Sequence, residues 1–287
     1  MKLLWWTSFR PFGVSNDNDN TQNIFLKSIK YYKSNITLSV TQFGEKNVKN
    51  SLIKENINFI FKEYPKKKLP HGERFSNHIM CENALVEYSK KKSNFQYLVY
   101  STCDIIVPTN ILEELHKIKF KNFMAYVFPN TLIKNGKLLN KLNPIFGVDM
   151  IIFKIDKKLA KKFLTFNRDW KQYGWGINEN YFMCMKDALK IPSINLWKKM
   201  DVIKFENDFE SFSETRTNQI KEWNKNKEHF IRFLKKNDLS LLWAHGSYYY
   251  MLFKHFNFRL FSFSLFLKYV IFFLGLPFAI VKKIIKC

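Results

Sequence analysis

The sequence predicts an α/β fold with a largely parallel central sheet and helices on both faces. Short apolar or alternating runs are followed repeatedly by longer segments in which apolar residues recur every three or four positions. One run, YLVYSTCDIIVP at residues 97–108, is rich in Val, Leu and Tyr, as strands buried on both faces of a sheet are. Regular alternation of strand and helix is typical of parallel sheets covered by helices.

The first elements follow from local patterns. The apolar patch LLWW predicts a strand over residues 2–8, and the polar run SNDNDN predicts a loop over residues 10–20. A helix is expected over residues 21–32. Apolar and polar residues alternate over residues 36–43, which predicts the second strand.

The same order of elements then repeats. A short helix is expected over residues 48–55, and a third strand over residues 58–63 ends before Pro65. A longer helix over residues 74–88 leads into the strand that begins at residue 97. Since no internal repeat and no Gly/Ser-rich linker interrupts this order, we expect one large α/β domain with an appendage.

The composition is that of a folded protein with affinity for polyanions. With 287 residues, of which 46% are hydrophobic and 17% aromatic, the chain can bury a full core and is not expected to be disordered. Its formal charge of +23 predicts attraction to an anionic membrane surface, nucleic acid or nucleotide phosphates. The lysines are scattered, so we expect no nucleic-acid partner, and a coding bias toward Lys is the alternative explanation of the charge.

The cysteines exclude two classes of site. The four cysteines are widely separated and include no C-x-x-C pair, so neither a zinc knuckle nor a disulfide framework is indicated. A reducing cytosol fits this usage best. The apolar patch before Thr7 is four residues long, which is too short for a secretory signal.

A single carboxylate, Asp104, lies where the strand at residue 97 opens into a loop. Ligands of open α/β sheets bind outside the carboxyl ends of the strands, so Asp104 is a candidate for binding a metal or a phosphate. The alternative is that Asp104 caps the helix expected from Thr109. The chain has no G-x-G-x-x-G after the first strand and no G-x-x-x-x-G-K-[ST]. A divalent cation on a strand-end carboxylate is therefore the expected way to hold a diphosphate.

These segments resemble a known family. The helix at residues 76–89, followed by the strand at 97–108, looks like the part of GT-A glycosyltransferases in which an apolar strand ends in Asp-x-Asp. Thr102 stands in the place of the first Asp, and Asp104 keeps the second, which binds the metal directly in that family. The resemblance implies a GT-A (nucleotide-diphospho-sugar transferase) fold, donor contacts from Thr102 and Asp104, and a divalent cation, Mn²⁺ or Mg²⁺, on Asp104.

Two later blocks extend the resemblance to roughly residues 1–200. The run FGVDMIIF, which contains Gly147 and Asp149, is similar to the family's strand along the donor sugar. The run YGWGINEN resembles the G-W-G-x-E-D region at the acceptor side. The resemblance implies that Gly147 and Asp149 contact the donor, that Trp175 and Asn178 contact the acceptor, and that Glu179 is the general base.

Each of these assignments has a simpler alternative. The alternative for Glu179 is a first-turn acid that the helix dipole favours, and the alternative for Asp149 is a structural bond to backbone or to a nearby Lys. Arg10, in the loop after the first strand, is a candidate for the nucleotide or its phosphates. His245 precedes a Gly, in a place from which some relatives return a metal ligand, although a structural histidine is more common.

The last part of the chain is unusually apolar. Residues 260–281, LFSFSLFLKYVIFFLGLPFAIV, carry one charge, Lys268, and have basic residues on both sides. Because Lys268 and Pro277 disfavour a spanning helix, we expect a hydrophobic helical tail that lies in the interface of an anionic membrane. A buried hairpin against the catalytic domain is the alternative.

Together these features predict a catalytic domain over residues 1–240 and a membrane-associating segment over residues 241–287. The resemblance implies a glycosyltransferase of the bacterial surface-polysaccharide type, using a nucleotide-sugar donor and a lipid-linked or glycan acceptor. The tail predicts a peripheral or monotopic protein at the cytoplasmic face of the membrane. The alternatives are a nucleotidyltransferase, and a non-enzymatic basic protein that binds membranes or nucleic acid.

Overall fold

A seven-stranded sheet forms the centre of the protein. In the computed structural model the described residues are 1–7, 9, 12–13, 16–43, 46–64, 77–129, 131–134, 137–140, 148–169, 178–197, 199–206, 216–241 and 243–244. The strands are β1 Leu3–Trp6, β2 Ile36–Phe43, β3 Phe59–Tyr64, β4 Tyr97–Ser101, β5 Ile105–Ile106, β6 Phe123–Val127, β7 Thr131–Lys134, β8 Lys137–Asn140, β9 Met150–Lys154, β10 Ser193–Asn195 and β11 Ile203–Glu206. The helices are α1 Asn16–Lys30, α2 Lys46–Lys54, α3 Asn77–Ser89, α4 Ile111–Lys117, α5 Lys157–Asp169, α6 Asn178–Ala188 and α7 Arg216–Lys236.

The central sheet has the order β10-β6-β9-β4-β1-β2-β3. Within the described part of the chain, β9 is the one strand of this sheet that runs antiparallel to its neighbours. The inner strands β1, β4 and β6 are buried along their whole length, as their continuous apolar sequences require in a sheet covered on both faces. The predicted α/β class with a largely parallel sheet is confirmed.

Helices pack on both faces of the sheet, as predicted. On one face α3, α5, α6 and α7 bury their apolar residues against alternate strand positions such as Leu4, Trp6, Leu98 and Tyr100. On the other face α1, α2 and α4 cover the intervening positions, among them Leu3, Trp5 and Val99. Because successive side chains of a strand point to opposite faces, one strand supplies both layers of the core.

The start of α1 corrects the sequence interpretation. A loop was expected over residues 10–20, yet the helix begins at Asn16, so most of the SNDNDN run forms its first turn. Asp and Asn are turn residues, but they are also favoured at helix N-termini, where they complement the exposed N–H groups and the dipole. The Asp19 carboxylate accepts a hydrogen bond of 2.7 Å from the backbone N–H of Gly13, which has a φ of 85°.

A second, smaller sheet was not anticipated. It has the order β5-β11-β7-β8, with β11 antiparallel to β5 and parallel to β7. β5 follows β4 after three residues, so this sheet adjoins the carboxyl end of the central sheet. The strands are short, which explains why their apolar alternation is too brief to recognise in the sequence.

No helix among the described residues is both long and apolar enough to cross a bilayer. The predicted hydrophobic tail at residues 260–281 lies outside the described residues. The division of the chain at residue 240 stays a prediction. Trp243 and Ala244 are buried in the same core layer as α6 and α7.

Candidate functional site

The reversed strand β9 brings two distant carboxylates to one end of the sheet. β9 pairs antiparallel with β4, with Met150 opposite Ser101, so the residue before β9 lies beside the residue after β4. Accordingly, the backbone N–H of Thr102 donates to the carbonyl oxygen of Asp149 over 3.4 Å. Asp149 therefore lies at the carboxyl end of β4, next to the loop that carries Asp104.

Asp104 lies in this loop, between β4 and β5, and is half-buried. Its carbonyl oxygen accepts a hydrogen bond of 2.8 Å from the backbone N–H of Phe205. The alternative in which Asp104 caps the next helix is wrong, because the N-cap of α4 is Asn110 and no side chain caps it. The carboxylate of Asp104 is thus left for another role.

The small sheet adds a cation that the sequence interpretation missed. Lys204 lies on β11 opposite Ile105 of β5, and its ammonium donates a hydrogen bond to Oδ1 of Asp149. The Asp149 side chain is 1% exposed and that of Lys204 is 18% exposed. The run VIKFE at residues 202–206 could have indicated a short strand, but no local pattern identifies a partner 55 residues away.

Glu179 enters the site from α6. It lies in the first turn of this helix and is half-buried. The next turn anchors the helix, because the Phe182 ring packs at 4.7 Å from the ring of Tyr100 and at 5.6 Å from that of Trp6. Tyr100 belongs to β4, so the helix that carries Glu179 is fixed to the strand that leads to Asp104.

The charges of these four side chains act on one another. Burial raises the pKa of Glu179 to about 7, the negative charges of Asp149 and Asp104 add to this, and Lys204 opposes it. Burial also raises the pKa of Asp149 to about 6, against the opposing effect of Lys204. Burial alone would lower the pKa of Lys204, but the Asp149 and Asp104 carboxylates outweigh burial and hold this pKa above its usual range. Such shifts are typical of functional sites.

Several oxygen atoms of the site lack a partner. Thr102 Oγ1, Asp104 Oδ1 and Asp149 Oδ2 are buried and accept or donate no hydrogen bond within the described part of the chain. Buried polar atoms without partners are costly and uncommon, so a ligand is expected to satisfy them. Carboxylate and hydroxyl oxygens suit sugar hydroxyls and hard divalent cations.

The described residues include no group of three or more His, Cys, Asp or Glu side chains that could hold a metal ion. Asp104 with the Thr102 hydroxyl still fits a Mg²⁺ or Mn²⁺ site of the kind in which one or two carboxylates bind the cation and substrate phosphates complete its shell. The predicted second ligand, His245, lies outside the described residues.

The structure thus brings together Thr102, Asp104, Asp149 and Glu179 among the predicted site residues. Arg10, Gly147 and Trp175 lie outside the described residues, and Asn178 is described only through its backbone in α6. The Lys partner that was the alternative explanation of Asp149 is present as Lys204, although it engages one of the two carboxylate oxygens.

No family model matches the chain, and no curated protein sequence matches it. Solved structures do resemble its fold. A protein from Desulfovibrio desulfuricans G20 described as a nucleotide-diphospho-sugar transferase is 10% identical, with 81% of this chain and 99% of that chain covered at a TM-score of 0.40. The inositol-1-phosphate CTP transferase from T. maritima is 11% identical, with 77% and 96% covered at a TM-score of 0.39.

A third similar structure is the catalytic domain of Drosophila beta1,4galactosyltransferase 7, which is 10% identical, with 68% of this chain and 64% of that chain covered at a TM-score of 0.35. The similar structures therefore include a nucleotide-diphospho-sugar transferase, a glycosyltransferase and a nucleotidyltransferase.

Proposed function

We propose that this protein is a glycosyltransferase that moves a sugar from a nucleotide-diphosphate donor to a hydroxyl group of an acceptor. The observation that carries this proposal is the convergence of Asp104, Asp149 and Glu179 at the carboxyl end of β4, where their charges interact. The three residues come from segments that are far apart in sequence and that each resemble a block of the GT-A pattern. In a cluster with a purely structural role, the buried carboxylate oxygens are expected to be hydrogen-bonded, whereas Asp104 and Asp149 each have one that lacks a partner among the described residues.

Glu179 is the general base in this proposal. The acceptor hydroxyl attacks the anomeric carbon of the donor sugar, the bond from that carbon to the diphosphate oxygen breaks, and Glu179 takes the hydroxyl proton. A base works best when its pKa is near the working pH, and burial raises the pKa of Glu179 to about 7. An ordinary first-turn glutamate has no such environment.

Asp149 and Asp104 bind different parts of the donor in this proposal. Asp149 keeps one carboxylate oxygen, Oδ2, without a partner in the described part of the chain, and this oxygen can accept a hydrogen bond from a sugar hydroxyl. Asp104 and Thr102 would hold the divalent cation. When bound, that cation neutralises charge on the departing diphosphate. The nucleoside diphosphate then leaves from the Asp104 side of the site.

The acceptor is proposed to be lipid-linked or a cell-surface polysaccharide, reached at the cytoplasmic face of the membrane. The support is the apolar run at residues 260–281 with its basic flanks, together with the net charge of +23. Apolar side chains enter the acyl boundary while basic residues bind anionic headgroups, so a protein of this kind is held next to a lipid acceptor.

Product analysis tests the proposed reaction. The full chain is incubated with UDP-glucose, UDP-galactose, UDP-N-acetylglucosamine or GDP-mannose, with Mg²⁺ or Mn²⁺ and a bacterial lipid extract as the source of acceptors. A glycosyltransferase releases the nucleoside diphosphate and transfers the labelled sugar to lipid. A parallel incubation contains a nucleoside triphosphate and a sugar phosphate instead of the sugar nucleotide. Release of pyrophosphate there would identify a nucleotidyltransferase. Steeply salt-dependent binding of nucleic acid, with no sugar-nucleotide binding, would identify a non-enzymatic basic protein.

A further inference from the structure

Strand pairing sets the position of the Lys204 backbone at the site. β11 is antiparallel to β5 with Lys204 opposite Ile105, and the backbone N–H of Phe205 donates to the carbonyl oxygen of Asp104 over 2.8 Å. β5 directly follows the loop of Asp104, so the position of the Lys204 backbone depends on that loop. The side chain then extends to Asp149 at the start of β9.

The ammonium of Lys204 occupies one side of the Asp149 carboxylate. It donates to Oδ1, while Oδ2 is buried and has no partner among the residues that the structure describes. A planar carboxylate that is hydrogen-bonded at one oxygen cannot turn freely, so the direction of Oδ2 is set by Lys204. With the Asp149 side chain 1% exposed, bulk water does not compensate Oδ2.

The chemistry of Oδ2 restricts what it can bind. An ionised carboxylate oxygen is only an acceptor, and the phosphate oxygens of a nucleotide at neutral pH are acceptors too, so the two do not pair. A cation is disfavoured beside the positive charge of Lys204. A neutral group with an O–H or N–H donor remains, and in a nucleotide sugar the hydroxyls of the sugar are such groups.

We propose that Lys204 is a positioning residue that holds the Asp149 carboxylate so that Oδ2 receives a hydroxyl of the donor sugar. Lys204 acts through Asp149 and does not itself bind the diphosphate. This inference rests on the proposed function and specifies that the donor carries an unmodified hydroxyl at the position that faces Oδ2. Lys204 thereby contributes to recognition of the sugar and leaves the affinity for the nucleotide unchanged.

A comparison of two affinities tests this role. The dissociation constant of the sugar nucleotide from the panel that binds the wild type most tightly is measured beside that of its parent nucleoside diphosphate, both with Mg²⁺. The variants are Lys204→Met, Asp149→Asn and the double variant. Lys186→Met is the matched control, because it removes a buried lysine that is ion-paired with Asp187 at the far end of α6 from Glu179.

We expect Lys204→Met and Asp149→Asn each to shift the ratio of the two constants about tenfold or more against the sugar nucleotide, as loss of a hydrogen bond to a charged group does. The nucleoside diphosphate should keep its affinity within about threefold. The double variant should match Asp149→Asn, since Lys204 acts through that residue. Lys186→Met should leave the ratio unchanged.

Other outcomes overturn the inference. An equal loss for the sugar nucleotide and the nucleoside diphosphate would show that Lys204 binds phosphate, and an unchanged ratio would show a structural pair. If Lys204→Met does not fold, the double variant is read by the same ratio, since it leaves no lone buried charge at either position. If no sugar nucleotide binds the wild type, the proposed function itself fails, and this result is distinct from the two others.

Discussion

Two lysine–aspartate pairs in this protein differ in how many hydrogen bonds the aspartate carboxylate accepts. In the first pair the Asp187 carboxylate accepts from the Lys186 ammonium at Oδ1 and from the indole N–H of Trp243 at Oδ2, over 2.9 Å. In the second pair Asp149 accepts from Lys204 at Oδ1, and its Oδ2 lacks a partner among the described residues.

Their surroundings differ as well. The Asp187 side chain is 35% exposed, whereas that of Asp149 is 1% exposed. The negative charge of Asp104 also raises the pKa of Asp149. A pair that only stabilises the fold is expected to satisfy its carboxylate, as Asp187 does by joining α6 to the segment of Trp243. In the Asp149–Lys204 pair, Oδ2 of Asp149 is an unoccupied hydrogen-bond acceptor among the described residues. It lies at the carboxyl end of the sheet, which is where ligands of such sheets bind. The unpartnered Oδ2 therefore supports the proposed donor-binding role of Asp149, whereas the contacts of Asp187 fit a structural role.

The largest effect is expected at Glu179. Glu179→Gln should lower the rate of sugar transfer about 10²- to 10⁴-fold, because the general base is lost. Glu114→Gln is the matched control, since Glu114 also lies in the first turn of a helix and is paired with Lys117. It should leave the transfer rate unchanged. Equal rates for wild type and Glu179→Gln would mean that Glu179 is a first-turn acid of the same kind as Glu114.

The two aspartates should separate activity from stability. Asp149→Asn should lower the transfer rate about tenfold to a hundredfold through the lost contact to the donor. Asp187→Asn should keep the rate within about threefold and lower the melting temperature by several degrees, because Lys186 loses its ion pair inside the fold. Rates measured beside thermal unfolding curves check both. A large loss of rate in Asp187→Asn, with none in Asp149→Asn, would contradict the functional role proposed for Asp149.

The pH dependence of the reaction should follow Glu179. Burial raises its pKa to about 7, so below this pH the base is protonated and the rate at low substrate concentration should fall about tenfold per pH unit. A pH–rate profile of the wild type measures this limb. If the rate stayed constant from pH 8 to pH 5, Glu179 would not be the base.

The same shift predicts a pH dependence of stability. The folded protein binds a proton on Glu179 more tightly than the unfolded chain, so the free energy of unfolding should fall as pH rises from about 4.5 to about 7. Glu179→Gln should lose this part of the dependence and be more stable than the wild type near neutral pH. Denaturant unfolding of both proteins at several pH values measures the difference. A variant with the same pH dependence as the wild type would contradict the raised pKa of Glu179.

The smallest effect is expected at the structural pair. Trp243→Phe keeps an aromatic ring in the core but removes the N–H that donates to Asp187, which should cost about 1–2 kcal/mol of stability. The transfer rate should not change, because Trp243 contacts the end of α6 opposite to Glu179. A fall in the rate without a fall in melting temperature would show that the two pairs are coupled.

Part of this site was readable in the sequence because its signal is local. The apolar strand that ends before Asp104, the strand after Asp149 and the helix that starts beside Glu179 each follow from short runs of residues. Their convergence was predicted through family resemblance, and physically it depends on the reversed direction of β9, which no local pattern encodes. Lys204 was missed for the same reason, since its partner is set by the pairing of β11 with β5. The start of α1 was missed because Asn and Asp favour loops and helix N-termini alike.

The most direct test of the central claim is the melting temperature of the full chain with and without a sugar nucleotide and Mg²⁺ or Mn²⁺, for the wild type and for Asp104→Ala. A ligand that binds only the folded protein, at a hundred times its dissociation constant, stabilises it by about 2.7 kcal/mol. We predict a rise of several degrees for the wild type with one member of the panel, and little or no rise for Asp104→Ala. The same rise in both proteins would contradict a donor site at Asp104.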